Sequence, residues 1–500
     1  MESAKFTFID LFSGIGGFYQ ALLKSGGKCE AYSEISKDAI ETYCENFLEK
    51  EENNLGDITK IKELPKHDLL TAGVPCQSWS IAGKNLGFDD DRGQLWNDTI
   101  YLLKKSQPKA FIFENVKGLV DPRNKEALTY ILQRIKEAGY YADYHVVNSY
   151  DYAVPQNRIR VYIIGFKEEK YFQKFQLPKP LDKKVKLADI LGIKLEENKV
   201  QKNIQLNKSM SLSSKNGYND YFLFNDLRNG KTTIHSWDII ETTERQKEIC
   251  YLLLKNRRKS AYGKLDGNPL SLEHFYSLDT SIKEYELDEL VELKIFKKVE
   301  YVYEVASFTD KSLSINENLL LSKNSDNKLI LDELKTNKDL KLSRVSLLKS
   351  IEELKKKNIL KVIEFRYEFK NTKISTGLFG INRIFLPSSD IYPTLVASDT
   401  NDFITLKQIL PFSDSAYKKE FLEEVYRSNN YRKITKEEAC QIQGFPRDFK
   451  LPSIRSRWMK LIGNSVSVPV IEVLCEAILK TGVFGIKSVE KDNNIFKWSA

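Results

Sequence analysis

Cysteine and histidine are scarce in this 500-residue chain, which has six of the first and four of the second. The thiols, Cys29, Cys44, Cys76, Cys250, Cys440 and Cys475, are widely scattered. With no CxxC pair and no histidine at ligand spacing, neither a disulfide framework nor a zinc site is supported, and no metal is expected. So few histidines also weigh against a histidine-based mechanism. No run approaches the roughly 18 consecutive apolar residues of a membrane span. Met1 to Ile9 lacks a basic segment followed by a long apolar one. These absences predict a soluble, cytoplasmic chain without a membrane partner. Charge of one sign is not in large excess either. Lys and Arg number 77 against 69 Asp and Glu, and the resulting +8 is compatible with a polyanionic partner without demanding one.

Apolar material, by contrast, is ample. At 41% hydrophobic and 11% aromatic residues the chain can bury at least one large core, and its length suggests two to four domains. Residues 5 to 166 read as alternating strands and helices, an α/β pattern that predicts a mainly parallel sheet covered by helices on both faces. From about 170 to 385 the chain becomes Lys- and Asn-rich, after a linker at Leu177 to Leu181. This stretch carries an internal echo. Leu287 to Val299 is matched 64 residues on by Ile351 to Ile363, and each copy is an amphipathic helix running into a strand with alternating aromatics. Helix followed by hairpin predicts two tandem winged-helix-like units over 240–370. Two unrelated helical hairpins fit the same pattern. The closing apolar helix, Val470 to Leu479, is expected to return to the first domain.

The chemistry-bearing residues fall at strand ends, where an α/β sheet places its site. Cys76 follows the apolar run Asp68 to Val74 between Pro75 and Gln77, and Glu114 follows Ala110 to Phe113. Alone, the thiol fits a small core residue and the carboxylate a solvated one. The first strand ends in Asp10, Leu11, Phe12, Ser13, Gly14, Ile15, Gly16, Gly17, a glycine turn without the GxGxxG spacing of a dinucleotide site. Glu34 ends the second strand, where an acid can bind ribose hydroxyls, and Asp57 with Ile58 is a candidate adenine contact. That set suits a nucleoside cofactor with no phosphate to cradle, and S-adenosylmethionine fits.

At this point the chain resembles the DNA (cytosine-5) methyltransferases. Phe12 to Gly16 matches the family's FxGxG loop, Pro75 to Gln77 with Ser80 its PCQ loop, and Glu114 to Val116 its ENV. Gln156, Arg158 and Arg160 match QxRxR, Gln443 to Pro446 the late QGFP, and Gly463, Asn464 and Ser465 the closing GN motif. The six occur in family order, over residues 5 to 170 and 390 to 482.

The resemblance implies a Rossmann-like S-adenosylmethionine-dependent domain at 1–185, rejoined by 450–500. A smaller target-recognition domain would span 186–449. It implies methyl transfer to C5 of a cytosine flipped out of a specific duplex DNA site, as the protective half of a restriction-modification pair. Cys76 would be the nucleophile, Glu114 the proton-sharing acid, and Arg158 and Arg160 would hold the base edge and phosphate. Phe12, Gly14, Gly16, Gly17, Glu34, Ile35, Asp57, Ile58, Pro75, Leu95, Asn464 and Val466 would bind the cofactor. Gln77, Ser80, Gly83, Lys84, Thr394 and Leu395 would meet DNA, and the segment Ile81 to Asp98 would close over the flipped base. Trp96 fits either an adenine contact or the core. A monomer on DNA is expected, with any cognate endonuclease acting separately. An RNA methyltransferase and a catalytically silent DNA-binding regulator are the alternative readings.

Overall fold

The computed structural model describes residues 4–75, 91–182, 184–196, 221–224, 233–306, 312–340, 342–370, 380–410 and 414–485. Cys76, Gln77, Ser80, Gly83 and Lys84 lie outside the described residues, as does the first part of the expected closing segment. The chain divides into two compact units, Met1–Tyr221 with Ile384–Ala500, and Phe222–Arg383.

The first unit is built on β1 (Phe6–Leu11), α1 (Gly17–Lys24), β2 (Gly27–Ser33), α2 (Lys37–Phe47), β3 (Leu69–Gly73), α3 (Asp91–Ser106), β4 (Ala110–Val116), α4 (Lys125–Glu137), β5 (Tyr141–Asn148) and β6 (Ile159–Phe166). The six strands form one sheet in the order β2-β1-β3-β4-β6-β5. The first four run parallel, as the alternating pattern predicts. β6 runs antiparallel to β4 and to β5, so the sheet is mixed at that side. The crossing chain after α4 enters β5 at the edge, and the short link around Ser149–Asp151 turns it straight back into the gap beside β4. β3, in the interior, is a nearly continuous buried run, whereas edge strand β5 leaves Tyr141, Tyr144 and Val146 exposed. Phe111, Phe113, Ile131, Ile135 and Trp96 are packed in one core under the sheet. Each such side chain contributes on the order of 2 kcal/mol by leaving water. Trp96 is thereby a core aromatic, set edge-on to Phe113.

Two short helices follow, α5 (Glu169–Lys174) and α6 (Leu187–Leu191). The second unit then contains β7 (Tyr221–Phe224, at the boundary), β8 (Thr233–Ile234), α7 (Ser236–Ile239), α8 (Glu244–Asn256), α9 (Leu272–Leu278), α10 (Glu284–Glu292), β9 (Phe296–Val305), α11 (Ile315–Leu321), β10 (Lys328–Ile330), α12 (Leu331–Thr336), α13 (Arg344–Lys356) and β11 (Leu360–Phe369). The sequence echo is visible as α10–β9 and α13–β11. The expected hairpin within each copy is not what forms, however. β9 pairs antiparallel with β11 along their whole length, from Phe296 opposite Phe369 to Val305 opposite Leu360, so the two copies share a single ribbon. Each long strand alternates well enough to pair, and the nearest strand of equal length is the other copy's.

Next come β12 (Arg383–Phe385, at the boundary) and, in the first unit, β13 (Asp402–Ile404), α14 (Asp414–Phe421), α15 (Lys436–Gln443), α16 (Arg455–Asn464) and α17 (Val468–Lys480). The compact units therefore divide near 221 and 383 rather than at 185 and 449. The reason is hydrogen bonding. Leu187 N donates to Ser389 O, and Gln156 reaches Gln443, so residues on both sides of the insert are tied to one another within the first unit. In this unit α17 lies on α1, and Lys24 is paired to Glu472 at 2.6 Å. Arg455–Lys480 has the length and hydropathy to cross a membrane, yet 83% of that apolar stretch is buried in the unit.

Candidate active site

Glycines and a strained phenylalanine shape the turn after β1. Phe12, Gly14 and Gly16 have φ of 53°, 56° and 83°. A bulky residue in the left-handed region costs on the order of 1–3 kcal/mol, and such strain persists where surrounding contacts enforce it. Here the turn is pinned on both sides. Ser13 N donates to Ser33 O, and Gly14 N donates to Glu34 Oε2 at 2.9 Å. The other oxygen of Glu34 accepts from Ile35 N and Ser36 N, both at 2.8 Å, at the start of α2. Glu34 thus locks the first loop to the second. Asn54 completes the lock, accepting from Glu34 N and Gly56 N and donating to Glu34 O. Nothing in its sequence context marked Asn54. Ile35 is exposed beside this lock, Ile58 is in the core, and the Asp57 carboxylate accepts from Thr59 N and Oγ1.

Beneath the glycine turn lies Asp10, fully buried. Its Oδ1 accepts from Thr71 Oγ1 at 2.9 Å, while its Oδ2 and the buried Ser13 Oγ have no hydrogen-bond partner among the described residues. Burial, reinforced by the Glu34 charge, raises the Asp10 carboxyl from 3.8 to about 8. The folded chain therefore keeps that proton over a range where the unfolded chain has released it. The stabilisation is fully present below pH 3.8 and is lost as pH rises to about 8. Asp10→Asn is expected to flatten the fall in melting temperature between pH 5 and pH 8 relative to wild type, as read by calorimetry. An unchanged slope would refute the assignment.

Glu114 is reached from β4, where it pairs with Gly73 at the end of β3, two residues before Pro75. Its side chain is only 12% exposed, and Arg160 Nε lies 3.0 Å from Oε1. Burial raises the Glu114 carboxyl above its ordinary value, and the charges of Arg160 and Arg158 pull the other way. Asn115 explains the second letter of its motif. Its buried amide donates to Val74 O and holds the ends of β3 and β4 together.

Arg158 does something different from what its motif suggested. It is 2% exposed and donates to Leu395 O, Gly463 O and Ser465 O at 2.9, 3.0 and 2.7 Å. Gln156 beside it accepts a hydrogen bond from Leu395 N at Oε1 and donates one from Nε2 to Gln443 Oε1, and Gln443 donates to Ser465 O. Thr394 Oγ1 donates to Asn157 O. Four segments far apart in sequence, around 156–158, 394–395, 443 and 463–465, therefore meet in one buried hub. The expected DNA contact by Leu395 is corrected by this finding, since Leu395 is buried and its backbone groups serve the hub. The expected base-edge role of Arg158 is corrected likewise, because its guanidinium is turned to carbonyls of the chain itself. Gly463 suits this hub because any Cβ there would lie 2.3 Å from the carbonyl carbon of Val396. Val466, just after it, packs against Gly17 of the first turn, and Asn464 is exposed beside them. Leu95 is partly buried against the main core.

The glycine turn, the Glu34 lock, Pro75, Glu114, Arg160 and the 464–466 segment thus belong to one unit, at the edge where β1 to β4 end. The family model for C-5 cytosine-specific DNA methylase matches residues 6–480. Type II methyltransferase M.HgiBI of Herpetosiphon aurantiacus is 39% identical over 95% of this chain and 97% of its own. Type II methyltransferase M.NlaIV of Neisseria lactamica is 32% identical over 95% and 99%. Type II methyltransferase M.HpaII of Haemophilus parainfluenzae is 46% identical over a shorter match, 37% of this chain and 53% of its own. On the match of one family model to nearly its whole length, the chain belongs to the C-5 cytosine-specific DNA methylase family and is a DNA cytosine-C5 methyltransferase.

Proposed function

We propose that the chain transfers a methyl group from S-adenosylmethionine to C5 of a cytosine turned out of a specific duplex DNA site, as the modifying half of a restriction-modification pair. The observation that carries this reading is the buried Glu114–Arg160 pair beside the end of β3, the strand that leads to Pro75 and Cys76. A cytosine ring is too electron-poor at C5 to take a methyl group unaided. The Cys76 thiolate adds to C6, which makes C5 nucleophilic. Glu114, with its carboxyl raised, holds or shares a proton at N3 and hydrogen-bonds the exocyclic amine, offsetting the charge that develops on the ring. Arg160 orients that carboxyl. After methylation the C5 proton is lost and the Cys76 sulfur leaves, restoring the aromatic ring. Because C6 is shielded in a stacked duplex, the base must leave the helix, a requirement shared by methyltransferases generally.

The residues present fit the cofactor. Asp10 Oδ2 and Ser13 Oγ are buried polar atoms without a described partner under the glycine turn, and a Cβ at Gly14 would meet nothing within 4 Å. When bound, S-adenosylmethionine supplies an electrophilic methyl group on a sulfonium. Phe12, Gly14, Gly16, Gly17, Glu34, Ile35, Asp57, Ile58, Pro75, Leu95, Asn464 and Val466 form its proposed surroundings. Gln77, Ser80, Gly83 and Lys84 are proposed DNA contacts. Names such as Type II methyltransferase among full-length relatives support the restriction-modification setting, with a cognate endonuclease acting separately and the methyltransferase working as a monomer. A duplex carrying 5-fluorocytosine tests the chemistry, because C5 then holds no removable proton and the adduct cannot collapse. A covalent complex that survives a denaturing gel and maps to Cys76 is expected. Clean separation in the presence of cofactor and mixed target sites, or transfer to tRNA in preference to duplex DNA, would overturn the proposal.

A further inference from the structure

The second unit is assembled from two halves in the same order. The first runs α8, a single antiparallel bridge at Leu270, α9, α10 and β9; the second runs α11, β10, α12, α13 and β11. Each half ends in a strand that the other half uses. β11 pairs with both Leu270 and β9, and β9 pairs with both β10 and β11. Two separate cores result. One gathers Ile249, Leu253, Phe275, Leu287, Leu290 and Phe296 with Tyr367 and Phe369 of β11. The other gathers Leu329, Leu347, Ile351, Leu354 and Leu360 with Tyr301, Tyr303 and Val305 of β9. Helix, strand, helix, helix, strand, closed by a third strand, is the order of a winged helix, with the closing strand here supplied by the neighbouring half.

α10 and α13 occupy the same place in their halves, that of the helix which enters a DNA groove, yet their charges are opposite. α10 carries five carboxylates, Glu284, Glu286, Asp288, Glu289 and Glu292, and no cation. Most serve its own half. Glu284 and Asp288 pair with Lys298, and Glu286 with Arg245. From Lys335 to the end of α13 the sequence instead has Lys335, Lys338, Lys341, Arg344, Lys349, Lys355 and Lys356 against Asp339, Glu352 and Glu353, and both glutamates lie in the last two turns beside Lys355 and Lys356. On α13, Val345 is 78% exposed, Leu348 is 41% exposed, and Lys349 makes no ion pair among the described residues. By the 64-residue offset the equivalent positions of the first half are Ser281, Glu284 and Tyr285. A phosphate backbone repels the first set and attracts the second. Small apolar groups flanked by a cation also suit a major groove, where thymine methyls are available.

We propose that only the second half docks on DNA, through the face of α13 that bears Val345, Leu348 and Lys349, and that the first half braces it through the shared ribbon. This rests on the duplex DNA substrate of the proposed function. The test needs no turnover. A benzophenone amino acid placed at position 345 crosslinks to duplex DNA on irradiation, and the same group at position 285, 63% exposed in the wild type, does not. Lys349→Glu raises the Kd for duplex about tenfold and lowers the slope of log affinity against log salt by about one, as expected for one lost phosphate contact. Tyr285→Glu changes neither. Equal crosslinking from both positions, none from 345, or a stronger crosslink to RNA than to duplex would overturn the inference. Wild-type trapping on 5-fluorocytosine duplexes, run in parallel, separates that outcome from a failure of the methyltransferase chemistry itself.

Discussion

Cys76→Ser loses methyl transfer by about a thousandfold or more while still binding duplex DNA. A serine hydroxyl is far less acidic than a thiol, and no histidine stands in the motif to take its proton. It cannot supply the nucleophile that turns C5 electron-rich. Binding survives because the substitution changes one atom of a side chain and leaves the Glu114–Arg160 pair and the glycine turn in place. Tritium transfer from labelled S-adenosylmethionine into mixed-sequence duplex, measured beside a filter-binding titration, reads both quantities. Residual transfer within tenfold of wild type would show that another group attacks C6 and would remove the central step of the mechanism.

The second large effect separates two arginines that look alike in sequence. Arg158→Ala removes the Arg158 donor from three buried carbonyls; Ser465 O keeps its bond from Gln443, whereas Leu395 O and Gly463 O lose theirs. At about 1–3 kcal/mol for each of these two buried groups left unsatisfied, a loss of at least about 2 kcal/mol of stability is expected. Solution denaturation should show it as a lower midpoint, accompanied by loss of cofactor binding because the hub holds Ser465 and Val466 against Gly17. Arg160→Ala, at a side chain that pairs with the buried Glu114 and is 16% exposed, should lower the midpoint less than Arg158→Ala does, because the Glu114 carboxyl can take up a proton once its partner is gone, and should lower kcat. If both variants unfold at the wild-type midpoint, the hub is not what joins the catalytic sheet to the later segments. Arg158→Lys is a further arm of the same experiment. One ammonium on a flexible stem does not reproduce the planar fork that reaches three carbonyls, so it restores only part of the stability.

Much of the catalytic unit was legible from order and spacing. Short apolar runs ending in Asp10, Gly73 and Glu114 become parallel strands whose ends share one edge, because alternating strands and helices leave few topologies open. The closing helix was legible for the same reason: Val470, Ile471, Leu474 and Ile478 are too apolar to stay in water. Residue roles were read less well. Arg158 and Leu395 belong to recognisable motifs, but a motif records that a residue is kept in a pattern, and a buried hydrogen-bond hub produces the same pattern as a substrate contact. Asn54 and the partnerless oxygen of Asp10 left no trace in spacing, since each matters only through groups that other strands bring near.

By itself, then, the sequence determined which family this protein belongs to, because six short motifs in a fixed order are local properties of their own segments and are read without any partner. It also determined that the middle of the chain repeats, since amphipathic periodicity needs no partner to be seen. Only the tertiary structure decided that the two repeats exchange strands along one ribbon, that residues 384–449 stay with the catalytic sheet, and that Arg158 faces carbonyls of its own chain. Those outcomes depend on which of several equally suitable partners lies within hydrogen-bonding reach once the chain has collapsed, and sequence order carries no measure of that distance.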